Sequence, residues 1–391
     1  MQTTLPFRLP DMRAFPARGF TLVELMIALA LGLLTTLVIT QVVVLTDSKK
    51  RTLTMGTDAQ VNGSLSLYTI QREIQMSGYG AINDPGAMGC PIKGEYKEPG
   101  VPEETPGVAF NPVLAPVVIT DGANGMPDTL TIMQGRKSSF SAPMLVMSPH
   151  LKTNDFFIVK SSFGAAAGDL MIVVPADNAW SSTNWCTVFS VTDDGAAAPG
   201  TDTTLGPKRV PHTSGTSAWN HSELFPDRYE KNSYLLNLGT MAHNTYSVDG
   251  AFNLIAMSRT AGAAASASTA LYPQIVNLQA MYGKDTTLDG QVDTYDTTTP
   301  ANALEWQQVL SIRLAVVARS GQYEKDEVTQ SAPLWDVGAG SAIAGTENCG
   351  TSKCLRIKID HVPEWKHYRY KVYDTIVPLR NVLWNSATAA P

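Results

Sequence analysis

The sequence predicts an α+β fold, a long amino-terminal helix packed on a β-rich domain of one or two lobes, and three observations lead there. Residues 20–45 are an almost unbroken apolar run. Residues 47–77 contain no proline and keep helical spacing of apolar side chains. Past Gly80 the texture changes to short β-branched runs separated by Gly, Pro, Asn and Asp, the pattern of strands and turns. A helix followed by a run of strands reads as α+β.

The apolar run reads FTLVELMIALALGLLTTLVITQVVVL, and its single charge is Glu24. At 1.5 Å per residue it makes a helix of about 39 Å, whereas a bilayer core is about 30 Å thick. The run can span a membrane. A carboxylate inside a span costs roughly 2.5–3.5 kcal/mol and marks a functional position by default. No other ionisable side chain lies between Phe20 and Leu45. A partner for Glu24 must then come from another chain, or from an amino terminus created by cutting just before the span. Arg18-Gly19 stands there. A cut after Gly19 would set the ammonium of Phe20 four residues before Glu24, on the same helix face. The carboxylate would also lie in the first turn, where the helix dipole favours negative charge.

The string Arg18-Gly19-Phe20-Thr21-Leu22-Val23-Glu24-Leu25-Met26 resembles the cleavage and methylation signal of type IV prepilins. The resemblance implies cleavage after Gly19 by prepilin peptidase and N-methylation of Phe20. It also implies that Glu24 pairs with the terminal amine of a neighbouring subunit during filament assembly. Two readings compete with it. One is an ordinary membrane anchor with Glu24 near the interface. The other is a secretory signal with Ala28-Leu29-Ala30 as its cleavage box, which fits poorly because apolar sequence continues for fifteen residues past Ala30.

The expected leader, residues 1–19, carries Arg8, Arg13 and Arg18 against Asp11, and Pro6, Pro10 and Pro16 keep it from forming a helix. A start at Met12 would shorten it to MRAFPARG, closer to the usual prepilin leader. Removing the leader's net +2 takes the formal charge from −6 to −8. A mildly acidic chain is no general nucleic-acid binder, for which a basic excess is the usual mark. Lys49, Lys50 and Arg51 after the span balance the arginines before it, so charge does not set orientation. Cys90, Cys186, Cys349 and Cys354 all follow the span. An even number suits two disulfides and an oxidising, periplasmic compartment. Cys349 and Cys354 are close enough in sequence to staple a loop; the pairing is otherwise open.

Residues 46–80 are expected to continue the helix as an amphipathic half. Apolar positions recur at Val61, Leu65 and Tyr68, and again at Leu67, Ile70 and Ile74. Gly78-Tyr79-Gly80 should end it. Residues 81–391 form the expected β-rich domain. Its strands are expected at Val113–Thr120, Thr129–Met133, Phe156–Lys160, Leu170–Val174, Thr187–Thr192, Phe252–Met257, Val276–Tyr282, Val309–Ala318 and Tyr368–Val377. Small-residue tracts at Ala196–Thr204 and Ala261–Ala270 read as exposed loops. The segment from Pro207 to Ser233 shows no clear period.

Val276–Tyr295, Trp306–Ser320 and the closing Tyr368–Asn381 resemble PilW-type minor pilins of type IV pilus assembly. That resemblance implies a structural and assembly subunit in the inner membrane by a single pass, with a periplasmic domain, and on the cell-surface pilus after assembly. Its implied partners are other minor pilins, the major pilin, prepilin peptidase as processing enzyme, and a PilY-type tip adhesin. A minor pseudopilin of type II secretion shares the amino-terminal signal, and a membrane-anchored periplasmic binding protein is the rival from another class.

One further motif has metal-ligand spacing. Asp285 to Asp296 aligns with the twelve-residue calcium loop, with oxygen-bearing side chains at Asp285, Thr287, Asp289, Gln291, Asp293 and Asp296, and Gly290 at the sharp turn. Only hard oxygen ligands are on offer, which favours calcium as the ion; an Asp/Gly-rich β-turn without an ion is the competing reading. Trp365-Lys366-His367-Tyr368-Arg369-Tyr370-Lys371 interleaves aromatic and basic residues as single-strand binders do. A two-sided strand alternates in the same way, so nucleic acid is not an expected partner. No catalytic motif is present: His361 and His367 have no zinc spacing, and there is no nucleophile elbow or phosphate loop.

Overall fold

The computed structural model describes residues 19–98, 100–101, 105–137, 141–192, 208–260 and 267–386. Two compact units divide the chain at Thr54 and Met55. Helix α1 (Leu22–Met76) contributes to both. The leader up to Arg18, including Met12, and the Ala196–Thr204 tract lie outside the described residues.

In the first unit the stretch Leu22–Thr46 of α1 is apolar around its circumference apart from Glu24 and Gln41. Residues Leu22–Thr46 are long and apolar enough to cross a membrane, and none of them is buried by the chain itself. Its threonine hydroxyls are satisfied locally. Thr35 and Thr36 donate their hydroxyls to the Gly32 carbonyl at 2.9 and 2.7 Å, and Thr40 and Thr46 donate to the carbonyls of Thr36 and Val42 at 2.7 Å. Threonine hydroxyls bonded back to their own helix are not left unmet toward lipid.

In the second unit the last turns of α1 bury one face, Gly63, Ser66, Ile70, Ile74 and Ser77. A Cβ on Gly63 would sit 2.3 Å from a ring carbon of Tyr373, so only glycine lets the helix approach this closely. The stripe of Val61, Leu65 and Tyr68 lies about half a turn away at 100° per residue. Only one of two opposed stripes can face a domain, and this one remains exposed. Gly78 and Gly80, with φ of 76° and 72°, turn the chain out of the helix.

Four larger sheets follow. The six-stranded sheet runs in the order Val108–Phe110, Ile92–Tyr96, Cys186–Ser190, Leu170–Val174, Tyr234–Gly239 and Met144–Leu145. Its one parallel pair joins Ile92–Tyr96 to Cys186–Ser190. The three strands Leu170–Val174, Cys186–Ser190 and Tyr234–Gly239 are buried along their whole length. They read as continuous rather than alternating because both faces are covered. Ile172, Val188 and Leu236 join the core beneath Ile70 and Ile74. Met171, Val173, Phe189 and Leu235 point the other way, into a second core with Phe157, Phe225 and Tyr229.

The five-stranded sheet is antiparallel, in the order Ala267–Pro273, Asn253–Thr260, Met241–Val248, Thr129–Gly135 and Val117–Thr120. Glu73 of α1 reaches it, accepting from Gln134 at 3.2 Å and Asn244 at 3.0 Å. The four-stranded sheet, Thr294–Asp296, Ile275–Lys284, Val309–Arg319 and Tyr370–Pro378, carries the Gly63 contact. On its other face Val276, Ala315 and Val317 pack with Trp335 and Val337, at and beside the three-stranded sheet Leu334–Asp336, Ser352–Arg356 and Thr346–Cys349.

Most expected strands are present within a few residues. Val113–Thr120 shortens to Val117–Thr120, because Pro112 and Pro116 have no N–H to donate to a ladder. Within the Ala261–Ala270 tract, Ala267–Ala270 open a strand rather than a loop. Residues 261–266 lie outside the described residues. The unplaced segment 207–233 holds short strands at Arg209–Pro211 and Arg228–Tyr229, paired with Phe156–Ile158 and His150–Leu151, and they close the second core. Cys90 pairs with Cys186 and Cys349 with Cys354. The first disulfide clamps the start of the parallel pair, and the second closes the hairpin between Thr346–Cys349 and Ser352–Arg356.

Candidate functional site

Gly19 and Phe20 precede α1 and are exposed, with Phe20 at 87%. A Cβ on Gly19 would meet nothing within 4 Å, so the chain's own packing does not require glycine there. Thr21 is the residue before the helix, and Glu24 is its third helical residue. The Thr21 N–H and hydroxyl both donate to Glu24 Oε2 at 3.0 Å, while the Glu24 N–H donates to Thr21 Oγ1 at 3.2 Å. This is a reciprocal cap that satisfies donors otherwise orphaned at a helix start. Among the described residues, Glu24 Oε1 takes no hydrogen bond. The sequence reading passed over Thr21, although Thr-x-x-Glu before an apolar run signals this cap.

The acidic loop is the tip of a hairpin between Ile275–Lys284 and Thr294–Asp296. Asp285, 3% exposed, takes the N–H groups of Leu288, Asp289 and Gly290 at 2.6, 3.2 and 2.7 Å, with the Thr287 hydroxyl at 3.4 Å. Asp293 takes the N–H and hydroxyl of both Thr286 and Thr287, which hold its carboxyl below the ordinary range. Asp289 takes the Gln291 N–H at 2.9 Å. Asp296 takes Lys284 Nζ at 2.7 Å and turns out of the loop. The Thr287 hydroxyl lies between Asp285 and Asp293, while Asp285, Asp289, Asp293 and Asp296 form no group of three with ligand atoms within 4.8 Å of one another. Among the described residues, the one group of three metal-capable side chains within 4.8 Å is Asp336 with Cys349 and Cys354, whose sulfurs are spent in a disulfide.

The aromatic and basic segment is likewise committed to the fold. Arg369 forks onto Glu324 at 2.6 and 3.1 Å, Lys366 faces Glu327, and Arg319 lies between the rings of Phe252 and Tyr368. Cations already paired or stacked offer little to a phosphate backbone. His361 donates to the Val276 carbonyl and His367 to that of Glu324.

Residues 16–40 match the model of the prokaryotic N-terminal methylation motif, and residues 245–381 match that of type IV pilus-assembly protein W. No curated protein and no solved structure matches the chain. A methylation signal heading an unburied apolar helix, with a β-rich domain behind it, defines a pilin-like protein of the type IV pilus class. Within that class the match over the C-terminal sheets, residues 245–381, supports a likeness to PilW-type pilins. The matched segment runs from within Met241–Val248 to Asn381 and contains all three stretches that carried the resemblance. The family is one of structural pilus-assembly proteins, which work together with other pilus components.

Proposed function

We propose that the chain is a minor pilin, cut after Gly19 by prepilin peptidase, methylated on Phe20, and placed in a tip or initiation complex of a type IV pilus. In this reading residues 1–19 are the leader and 20–45 span the inner membrane and later bind neighbouring helices. Residues 46–80 continue the helix, and 81–391 form the periplasmic domain that reaches the cell surface on assembly. The observation that carries the reading is the bare apolar helix Leu22–Thr46 with its one carboxylate, Glu24. An unburied apolar surface of that length needs lipid or other helices around it, and a carboxylate there needs a cation. The methylated amine of a neighbouring subunit supplies one. Glu24 keeps Oε1 for it while Oε2 holds the cap.

Size supports the end position. A compact body of 311 residues has a radius of gyration of about 19–20 Å, against about 13 Å for 100 residues. Such heads crowd each other at the short axial steps of a helix-packed shaft, and an end position relieves that crowding. Other minor pilins, the major pilin and a PilY-type adhesin are the partners this reading expects. Quantitative mass spectrometry of sheared pili should find the chain far below the major subunit, with gold label at filament ends. Even labelling along the shaft at near-major stoichiometry, or intact pili after deletion with loss of a secretion pseudopilus instead, would refute it.

A further inference from the structure

The end of α1, the strand Thr129–Gly135 and helix α2 (Arg380–Ser386) meet around a groove of about 850 Å³. Its walls are tied to one another. The Gly78 N–H donates to the Met133 carbonyl at 2.8 Å, the Gly135 N–H to that of Tyr79 at 2.7 Å, and the Asn381 amide to that of Ser77 at 2.7 Å. A groove held this way is pre-formed, so an entering ligand has little protein to order. Met76, Tyr79 and Leu383 supply its apolar surface, the first two 40% and 42% exposed.

The charged residues lining it are all cationic: Arg136, Lys137 and Arg380. Lys137 is already neutralised by Asp169 at 2.5 Å. Arg136 and Arg380 are exposed, and among the described residues neither has a carboxylate partner. The chain as a whole has six more acidic than basic residues, so two unpaired arginines beside an apolar slot stand against the prevailing charge. Guanidinium groups bind carboxylates through paired, charge-assisted hydrogen bonds, and arginine and tyrosine side chains concentrate binding energy at interfaces.

We propose that this groove docks a peptide segment of a partner protein in which carboxylates flank an apolar side chain, the carboxylates meeting Arg136 and Arg380 and the apolar group meeting Met76, Tyr79 and Leu383. Such docking needs only the groove, whatever the chain's processing or filament position.

Three fluorescein-labelled peptides test it by anisotropy on the detergent-solubilised full chain: one alternating glutamate with leucine or phenylalanine, a second with glutamine for glutamate, a third with lysine. The acidic peptide should bind at least tenfold more tightly than the other two. Arg136→Glu and Arg380→Glu should erase that preference, while Arg136→Lys and Arg380→Lys keep part of it. Unchanged melting temperatures identify variants that fold. Equal affinity for the three peptides, or a preference that survives charge reversal in folded protein, overturns the proposal. In cells, a photo-crosslinking residue at Met76 should capture an acidic segment of another protein. Capture of lipid, of a basic segment or of the chain's own last residues, or no capture, overturns it as well.

Discussion

Thr21 and Glu24 cap one another at the start of α1, two bonds ending on Glu24 Oε2 and one returning from the Glu24 N–H to Thr21 Oγ1. The cap and the carboxylate's charge are separable, because glutamine at the same position can also close a capping box. Glu24→Gln should therefore keep the helix start, membrane insertion and processing, yet lose entry into filaments, since a neighbour's ammonium would then be buried without a counter-charge. Thr21→Ala should do the reverse, weakening the helix start by about 1 kcal/mol and leaving incorporation intact. Immunoblots of sheared pili decide it. Glu24→Gln incorporated at the wild-type level would show that only the cap matters.

The processing step has its own readout. Intact-mass and N-terminal analysis should find the mature chain beginning at a methylated Phe20, and Gly19 changed to a bulky residue should leave the precursor. The structure gives Gly19 no packing role, since a Cβ there meets nothing within 4 Å. A processing defect would thus be a recognition defect rather than misfolding. A mature terminus beyond Ala30 would rule the scheme out.

What could be read from the sequence divides by how local its cause is. The signal around Gly19 and Glu24 was legible because a contiguous string carries it. Leu170–Val174 was legible because a strand covered on both faces is apolar throughout. Tyr234–Gly239 was not, because Asn237 interrupts it. That side chain is buried by partners distant in sequence, the Gly164 carbonyl and Asp169, both at 3.1 Å. The Cys90–Cys186 pairing depends on a parallel strand pair that no local pattern announces. The groove of Met76, Arg136 and Arg380 is assembled from three distant segments and was invisible for the same reason.

Asp285 binds three backbone N–H groups, so its main work is to hold the turn. Asp285→Ala leaves those donors to be satisfied elsewhere and should cost roughly 1–3 kcal/mol, by the same amount with calcium or with chelator. Melting curves of the full chain in each condition measure this. A calcium-dependent rise in melting temperature that Asp289→Ala abolishes would restore the ion-binding reading.

The second core contains an acid-sensitive pair. His150 and His212 place their Nε2 atoms 2.8 Å apart, and both residues are nearly fully buried among Phe157, Phe189, Phe225 and Tyr229. One ring must donate and the other accept, so at least the accepting ring is neutral. Burial lowers His150 to about 4, and burial together with the neighbouring ring lowers His212 to about 3, from an ordinary 6.5. The unfolded chain therefore binds more protons than the folded one between about pH 6.5 and the folded values, and in that window stability rises with pH. The stabilising contribution is complete above about pH 6.5 and is lost as pH falls toward 4 and 3. Taken alone the pair should lower the melting temperature between pH 7 and pH 4.5; His243, lowered to about 4 by burial, adds to that loss, and Asp128, raised to about 7 by burial, opposes it. Replacing both residues by phenylalanine should flatten that dependence, because the stacked rings can be kept while the titrating nitrogens go. An equal change in melting temperature between the two pH values in the wild-type and the doubly substituted chains would mean that the pair does not contribute.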